Sequence, residues 1–141
     1  MNRFSSNLRV FLVAGITLFV SACASTVHIS EDLSPSELIQ RAQEASDKNR
    51  YNVALQYYEA LLERNRIYID LVITAEYEIA FIHYKQKKYQ QARAELNSLL
   101  EYYEAPDQQF LPQQFKRLAE IVIGRIAEKE QPRLFSSKKS G

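Results

Sequence analysis

The chain has 141 residues, 46% hydrophobic and 25% charged, which excludes an intrinsically disordered chain and a multi-spanning membrane protein and sets one small domain as the expectation. Lys and Arg number 18 and Asp and Glu 17, so the formal charge of +1 lacks the basic footprint of a nucleic-acid binder. The three glycines, Gly15, Gly124 and Gly141, cannot build a phosphate-cradling loop or a hairpin-rich β fold, and the single cysteine, Cys23, excludes an intrachain disulfide and a Cys-pair zinc site.

The N-terminus carries Arg3 and Arg9 ahead of an uncharged run at 10–20, VFLVAGITLFV. This is the layout of a secretory signal, because a run of about 16 Å as a helix cannot cross a hydrocarbon core of roughly 30 Å. The run ends in Val20-Ser21-Ala22-Cys23, which resembles the bacterial lipobox. That resemblance implies removal of a signal peptide at 1–22 and attachment of diacylglycerol to Cys23, which anchors the mature protein to a membrane without a span. The alternative is an incidental thiol beside an ordinary signal-peptidase site. Without Arg3 and Arg9 the mature chain holds 16 basic and 17 acidic residues. Ala24 is not the aspartate that retains lipoproteins at the inner membrane in enterobacteria, so the resemblance points to the outer membrane, and residues 23–33 read as a lipidated tether.

Helix signals begin at Ser34-Pro35-Ser36-Glu37, where Ser34 can cap, Pro35 suits the first turn and Glu37 completes a capping box. That helix is expected to run to about Lys48. After a turn at Asn49 and Arg50, residues 51–65 place apolar side chains at 51, 54, 55, 58, 61 and 62, a helical spacing. The pattern then returns. Ala42, Tyr51, Ala54, Leu61 and Leu62 are matched by Ala80, Tyr89, Ala92, Leu99 and Leu100, each 38 residues on, which predicts two similar helical pairs with small residues at the close crossings.

Ala42, Tyr51, Ala54 and Tyr58, and then Ala80, Tyr89, Ala92 and Leu96, resemble the small and aromatic signature of the tetratricopeptide repeat. The family period of about 34 is exceeded by four, and the insert is expected within 66–72. Arg66 replaces a common proline, and Leu38 and Glu76 stand where the family has its early tryptophan. A fifth helix starts near Pro112 and carries Phe115, Leu118, Ala119, Val122 and Ile126 on one face, suited to cap the second pair. The expected fold is all-α, an α-solenoid of two tetratricopeptide-like hairpins with a capping helix over 34–130, followed by a mobile basic tail at 131–141. Leu134 and Phe135 in that tail are candidates for peptide-like docking.

No catalytic constellation stands out, and neither enzymatic activity nor a cofactor is expected. His28 and His83 lack companions at metal-ligand spacing, and no nucleophile elbow or HExxH motif occurs. The pairs Glu76 with Glu78 and Glu101 with Glu104 read as solvated helix faces. If first helices line a groove, as the repeat resemblance implies, Tyr77, Phe81, Tyr84 and Lys85 face it as a candidate partner-binding stripe; the alternative is that the fifth helix covers them as core. Their first-pair counterparts Ile39, Gln43, Ser46 and Asp47 lack the Lys and Asn pattern of a carboxylate clamp.

The lipobox, the tether, SPSELIQRAQ and a tyrosine-led second helix resemble, over residues 35–104, the N-terminal part of the BamD family of outer-membrane assembly lipoproteins. Members usually carry about five repeats against two here, so the part that in the family engages the barrel subunit is expected to be missing or replaced. The resemblance implies a lipid-anchored scaffold on the periplasmic face of the outer membrane that binds the periplasmic domains of an outer-membrane β-barrel assembly protein, or its unfolded substrates. Rival readings are a pilotin-like lipoprotein bound to another envelope protein and a transporter-associated lipoprotein that delivers a small ligand.

Overall fold

The computed structural model describes residues 26–130; residues 1–25, on which the expected signal peptide (1–22) and lipidation at Cys23 fall, and residues 131–141, expected as a tail, lie outside the described residues. Five helices follow one another, α1 (Pro35–Asp47), α2 (Tyr51–Arg64), α3 (Ile69–Lys85), α4 (Tyr89–Glu101) and α5 (Gln113–Glu130), with single 3-10 turns at Tyr102–Glu104 and Gln108–Phe110. Among the described residues there is no strand, and no helix is long and apolar enough to cross a membrane. Short turns make consecutive helices antiparallel neighbours, and each packs on the next, with α5 also reaching back to α3. The result is an all-α solenoid of two helical hairpins closed by α5.

α1 starts as its sequence requires. The Ser34 backbone N–H donates to Glu37 Oε2 at 2.9 Å and the Glu37 N–H donates to Ser34 Oγ at 3.4 Å, a complete capping box with Pro35 in the first turn. Both hairpins close in the same way. Asn49 and Lys87, 38 residues apart, hold positive φ angles of 56° and 63°. In the first turn the Asn49 N–H donates to the Ser46 carbonyl and the Arg50 N–H to the Ala45 carbonyl; in the second, Lys87 donates to Tyr84 and Lys88 to His83. This is the left-handed helix stop, which satisfies the last carbonyls with backbone donors.

The 38-residue repeat is a packing repeat. Ala42 and Ala80, Ala54 and Ala92, and Leu61 and Leu99 are all fully buried. The alanines leave room for close backbone approach at each crossing, and the leucines fill the flanks. The four extra residues of the period form an additional N-terminal turn of α3, which has 17 residues where α1 has 13. Of the segment 66–72, only Arg66, Ile67 and Tyr68 lie outside that helix. Two apolar clusters share α3 as their common wall. Ala75 and Ile82 pack toward the first hairpin, and Ile73, Tyr77 and Ala80 pack toward the second hairpin and α5.

α5 buries Ala119, Val122 and Ile126, with Phe115 packed beside them. Leu118, expected on that face, is 39% exposed instead, because the buried seam follows 115, 119, 122 and 126 and leaves 118 at its edge. Ala119 is as buried as Ala42 and Ala80, so α5 takes the place of the first helix of a third pair. The chain reaches it through the two 3-10 turns, where buried Tyr103 donates its hydroxyl to the Pro112 carbonyl at 2.8 Å.

The stretch expected as a tether is docked over its described part. The Val27 N–H donates to Gln56 Oε1 at 2.9 Å, and Val27, Ile29 and Leu33 pack against the first cluster. The Arg64 guanidinium donates to the Ser30 carbonyl at 3.0 Å and to those of Ile29 and Glu31 at 3.5 Å. The segment therefore runs down α2, parallel to it, from the level of Gln56 to that of Arg64 before turning back into α1.

Candidate interaction surfaces

Tyr77, Phe81, Tyr84 and Lys85 do lie on one stripe of α3, and the stripe is divided. Tyr77 is only 5% exposed and packs on Phe115 of α5, ring centroids 5.2 Å apart. It belongs to the core, where burial raises its hydroxyl pKa to about 12. Phe81 and Tyr84 are half-buried and continue a ladder of rings, with centroid separations of 5.8 Å from Tyr77 to Phe81, 5.8 Å to Tyr84 and 5.9 Å to Tyr89. Lys85 is exposed; its Nζ lies 5.0 Å from the Phe81 ring and donates to Ser46 Oγ at 3.1 Å, tying the ends of α1 and α3 together. Cys23 lies outside the described residues.

The α1–α3 face also holds Glu78, half-buried with Tyr58 and Lys85 close by. Burial raises the pKa of Glu78 above the ordinary carboxylate value; Lys85 opposes that and Asp47 adds to it. Neither Glu78 nor Glu76 is the solvated side chain that the sequence pattern implies. Glu101 and Glu104 are exposed as expected.

A larger surface lies on the other side of the molecule. A groove of about 760 Å³, open to solvent, runs between α2 and α4 over α3. Leu62, Ile79, Ala94, Ser98 and Tyr102 line it, with Glu76 and Glu95 at its walls. Glu76 stands 38 residues after fully buried Leu38, so a carboxyl occupies the slot that the first hairpin fills with leucine. Burial raises its pKa, and the Tyr102 hydroxyl, which donates to Glu76 Oε1 at 3.2 Å, pulls the other way. Glu95 accepts from Gln91 Nε2 at 3.0 Å and pairs at 2.7 Å with Nδ1 of buried His83, which fixes one wall.

The same register relates this groove to the docked N-terminal segment. Gln56 and Arg64, which hold the segment, are replaced 38 residues later by Ala94 and Tyr102, which line the groove. One face of the repeat is thus covered by an extended piece of the chain in the first hairpin and open in the second. These residues carry no motif; only the 38-residue register, with Leu38 exchanged for Glu76 and Gln56 for Ala94, marks them in the sequence. Among the described residues, no three His, Cys, Asp or Glu side chains come together as a metal site.

No known protein family matches the chain, and no solved structure matches it. The chain is similar to an uncharacterized protein of Treponema pallidum (strain Nichols), with 36% identity over 121 residues. The match takes in 84% of this chain and 48% of the Treponema protein, so the chain spans about half the length of that relative.

Proposed function

We propose that the protein is a lipid-anchored scaffold of the bacterial envelope, tethered through Cys23, that holds an extended segment of another envelope protein in the groove between α2 and α4. In the BamD-like reading the partner is an outer-membrane β-barrel assembly protein, bound through its periplasmic domains, or one of its substrates, and the scaffold works on the periplasmic face of the outer membrane. The observation that carries the proposal is the docked segment at 26–33: an extended chain is held on α2 at places whose counterparts on α4 line an open groove. Apolar Leu62, Ile79 and Ala94 offer side-chain contact, and Glu76, Glu95 and Tyr102 offer hydrogen-bonding groups to a peptide backbone. A membrane anchor confines the scaffold near its partner and raises the effective concentration, so a modest groove suffices.

The test is affinity purification of the tagged chain from detergent-solubilised membranes, beside a Ser98→Trp variant that fills the groove from an exposed site. An outer-membrane barrel protein with repeated periplasmic domains is expected with the unmodified chain and not with the variant. Recovery of a secretin or a transporter subunit in its place overturns the assembly role. Equal recovery with both chains overturns the groove.

A further inference from the structure

The two ends of the solenoid carry opposite charge. At one end are the hairpin turns, where exposed Lys48, Arg50, Lys85, Lys87, Lys88 and, at the end of α5, Lys129 outnumber the exposed acids Glu44, Asp47 and Glu128. The C-terminus of α5 reaches the same end, where Glu130 is paired with Arg93. At the other end exposed Glu31, Asp32, Glu63, Asp70, Glu101, Glu104 and Asp107 outnumber the bases Arg64, engaged by the N-terminal segment, Arg66, Lys116 and Arg117. The small net charge of the whole chain, +1, conceals this separation.

The docked segment says which end lies near the N-terminus. Val27 sits at the level of Gln56, and the chain descends from there toward Arg64, so it enters from the side of the basic turns. Cys23 precedes Val27 by four residues, which span at most about 14 Å, and α2 begins only about 7 Å beyond Gln56 at 1.5 Å per residue. An acyl chain on Cys23 therefore holds the basic turns close to the headgroups. Lysines and arginines within about a Debye length of an anionic leaflet are attracted to it, at a screening distance of about 10 Å in 0.1 M salt.

We infer that the basic end formed by the α1–α2 and α3–α4 turns is the face the protein lays against an anionic phospholipid surface. This rests on the reading of Cys23 as the anchor. The helices then stand end-on, with the acidic end and its exposed Ile67 and Phe110 directed away from the membrane. The segment at 26–33 acts as a strap that sets this orientation, and a domain swinging on a free tether would show no preferred face.

The full chain, produced in a host that processes lipoproteins and purified in detergent, separates the two claims. Its intact mass reports acylation of Cys23 alone. The protein is then added to vesicles of phosphatidylglycerol with phosphatidylethanolamine, or of phosphatidylcholine, and each lysine is read by brief acetylation with a membrane-impermeant reagent. On the anionic vesicles Lys48, Lys87 and Lys88 are expected to label about fivefold more slowly than in detergent, while Lys116 at the opposite end keeps its rate. The protection is expected to fall on phosphatidylcholine and in about 0.5 M NaCl, where screening shortens to about 4 Å. An Arg50→Gln, Lys88→Gln variant should lose protection at Lys48. Equal slowing at both ends, or protection of Lys116 instead, overturns the inference. An unacylated mass overturns the anchor while the labelling pattern still decides the face.

Discussion

Arg64 and Ser30 are joined across 34 residues of sequence by a 3.0 Å hydrogen bond from guanidinium to carbonyl, and this contact fastens the N-terminal segment to the first hairpin. The bond is exposed, so its worth is modest, about 1 kcal/mol. Replacement Arg64→Ala is expected to raise amide hydrogen exchange at 27–31 while exchange in α1 and α2 stays slow. Unchanged protection of the segment would show that Val27, Ile29 and Leu33 hold it unaided.

Tyr77 and Phe81 are adjacent rungs of one ladder with unequal burial. Tyr77→Ala removes a core ring packed at a tilt against Phe115 and should destabilise by about 3 kcal/mol, enough to lower the melting temperature well clear of error. Phe81→Ala, at a half-buried site, should cost about 1–2 kcal/mol. The measurement is denaturant unfolding of both variants, and equal losses would contradict the division of the stripe.

Glu76 and Glu78 titrate above the ordinary carboxylate value because they are buried. The folded chain keeps protons there that the unfolded chain has released, so stability should rise as the pH falls from neutral toward 4.5, with no further gain from these groups below it. Glu78→Gln should raise the melting temperature at neutral pH and flatten that slope. A slope unchanged by Glu78→Gln would remove Glu78 from the account.

Glu37 behaves in the opposite sense. Its hydrogen bonds from Ser34 hold its carboxyl below the ordinary value, so the stability it contributes is present above pH 4.5 and lost as the pH falls through its folded value. Ser34→Ala breaks the cap and should cost about 1 kcal/mol. Helix content at neutral pH, followed by thermal melts, checks the loss.

Lys87 holds a left-handed backbone conformation that asparagine adopts more readily. Lys87→Asn should therefore stabilise the fold by about 0.5 kcal/mol and, in the labelling experiment above, weaken protection of Lys48 and Lys88. A stability gain with unchanged protection would show that this charge takes no part in the membrane contact.

Much of this architecture was legible because it is local. Ser34, Pro35 and Glu37 announce a helix start through contacts within one turn, and the paired alanines and leucines at a constant interval announce the crossings they occupy. The burial of Tyr77 depends on where α5 lands, and that is set by the irregular turns at 102–110, whose key contact, Tyr103 to Pro112, has no periodic signature. The docking of 26–33 was hidden for a similar reason. Val27 and Ile29 are too few to show a pattern, and what holds them is one glutamine and one arginine on a helix far along the chain. Glu76 and Glu78 look like surface residues until α4 and α1 close over their helix.

Both hairpin turns are closed by main-chain hydrogen bonds, and their sequences, Lys48-Asn49-Arg50 and Gln86-Lys87-Lys88, differ at every place. Apart from the left-handed residue at 49 and 87, a loop closed by its own main chain leaves natural selection free to rewrite its side chains. Substitutions there can accumulate or discard charge without refolding the domain, so this rim can be retuned to a changed envelope composition while the buried alanines and leucines stay as they are.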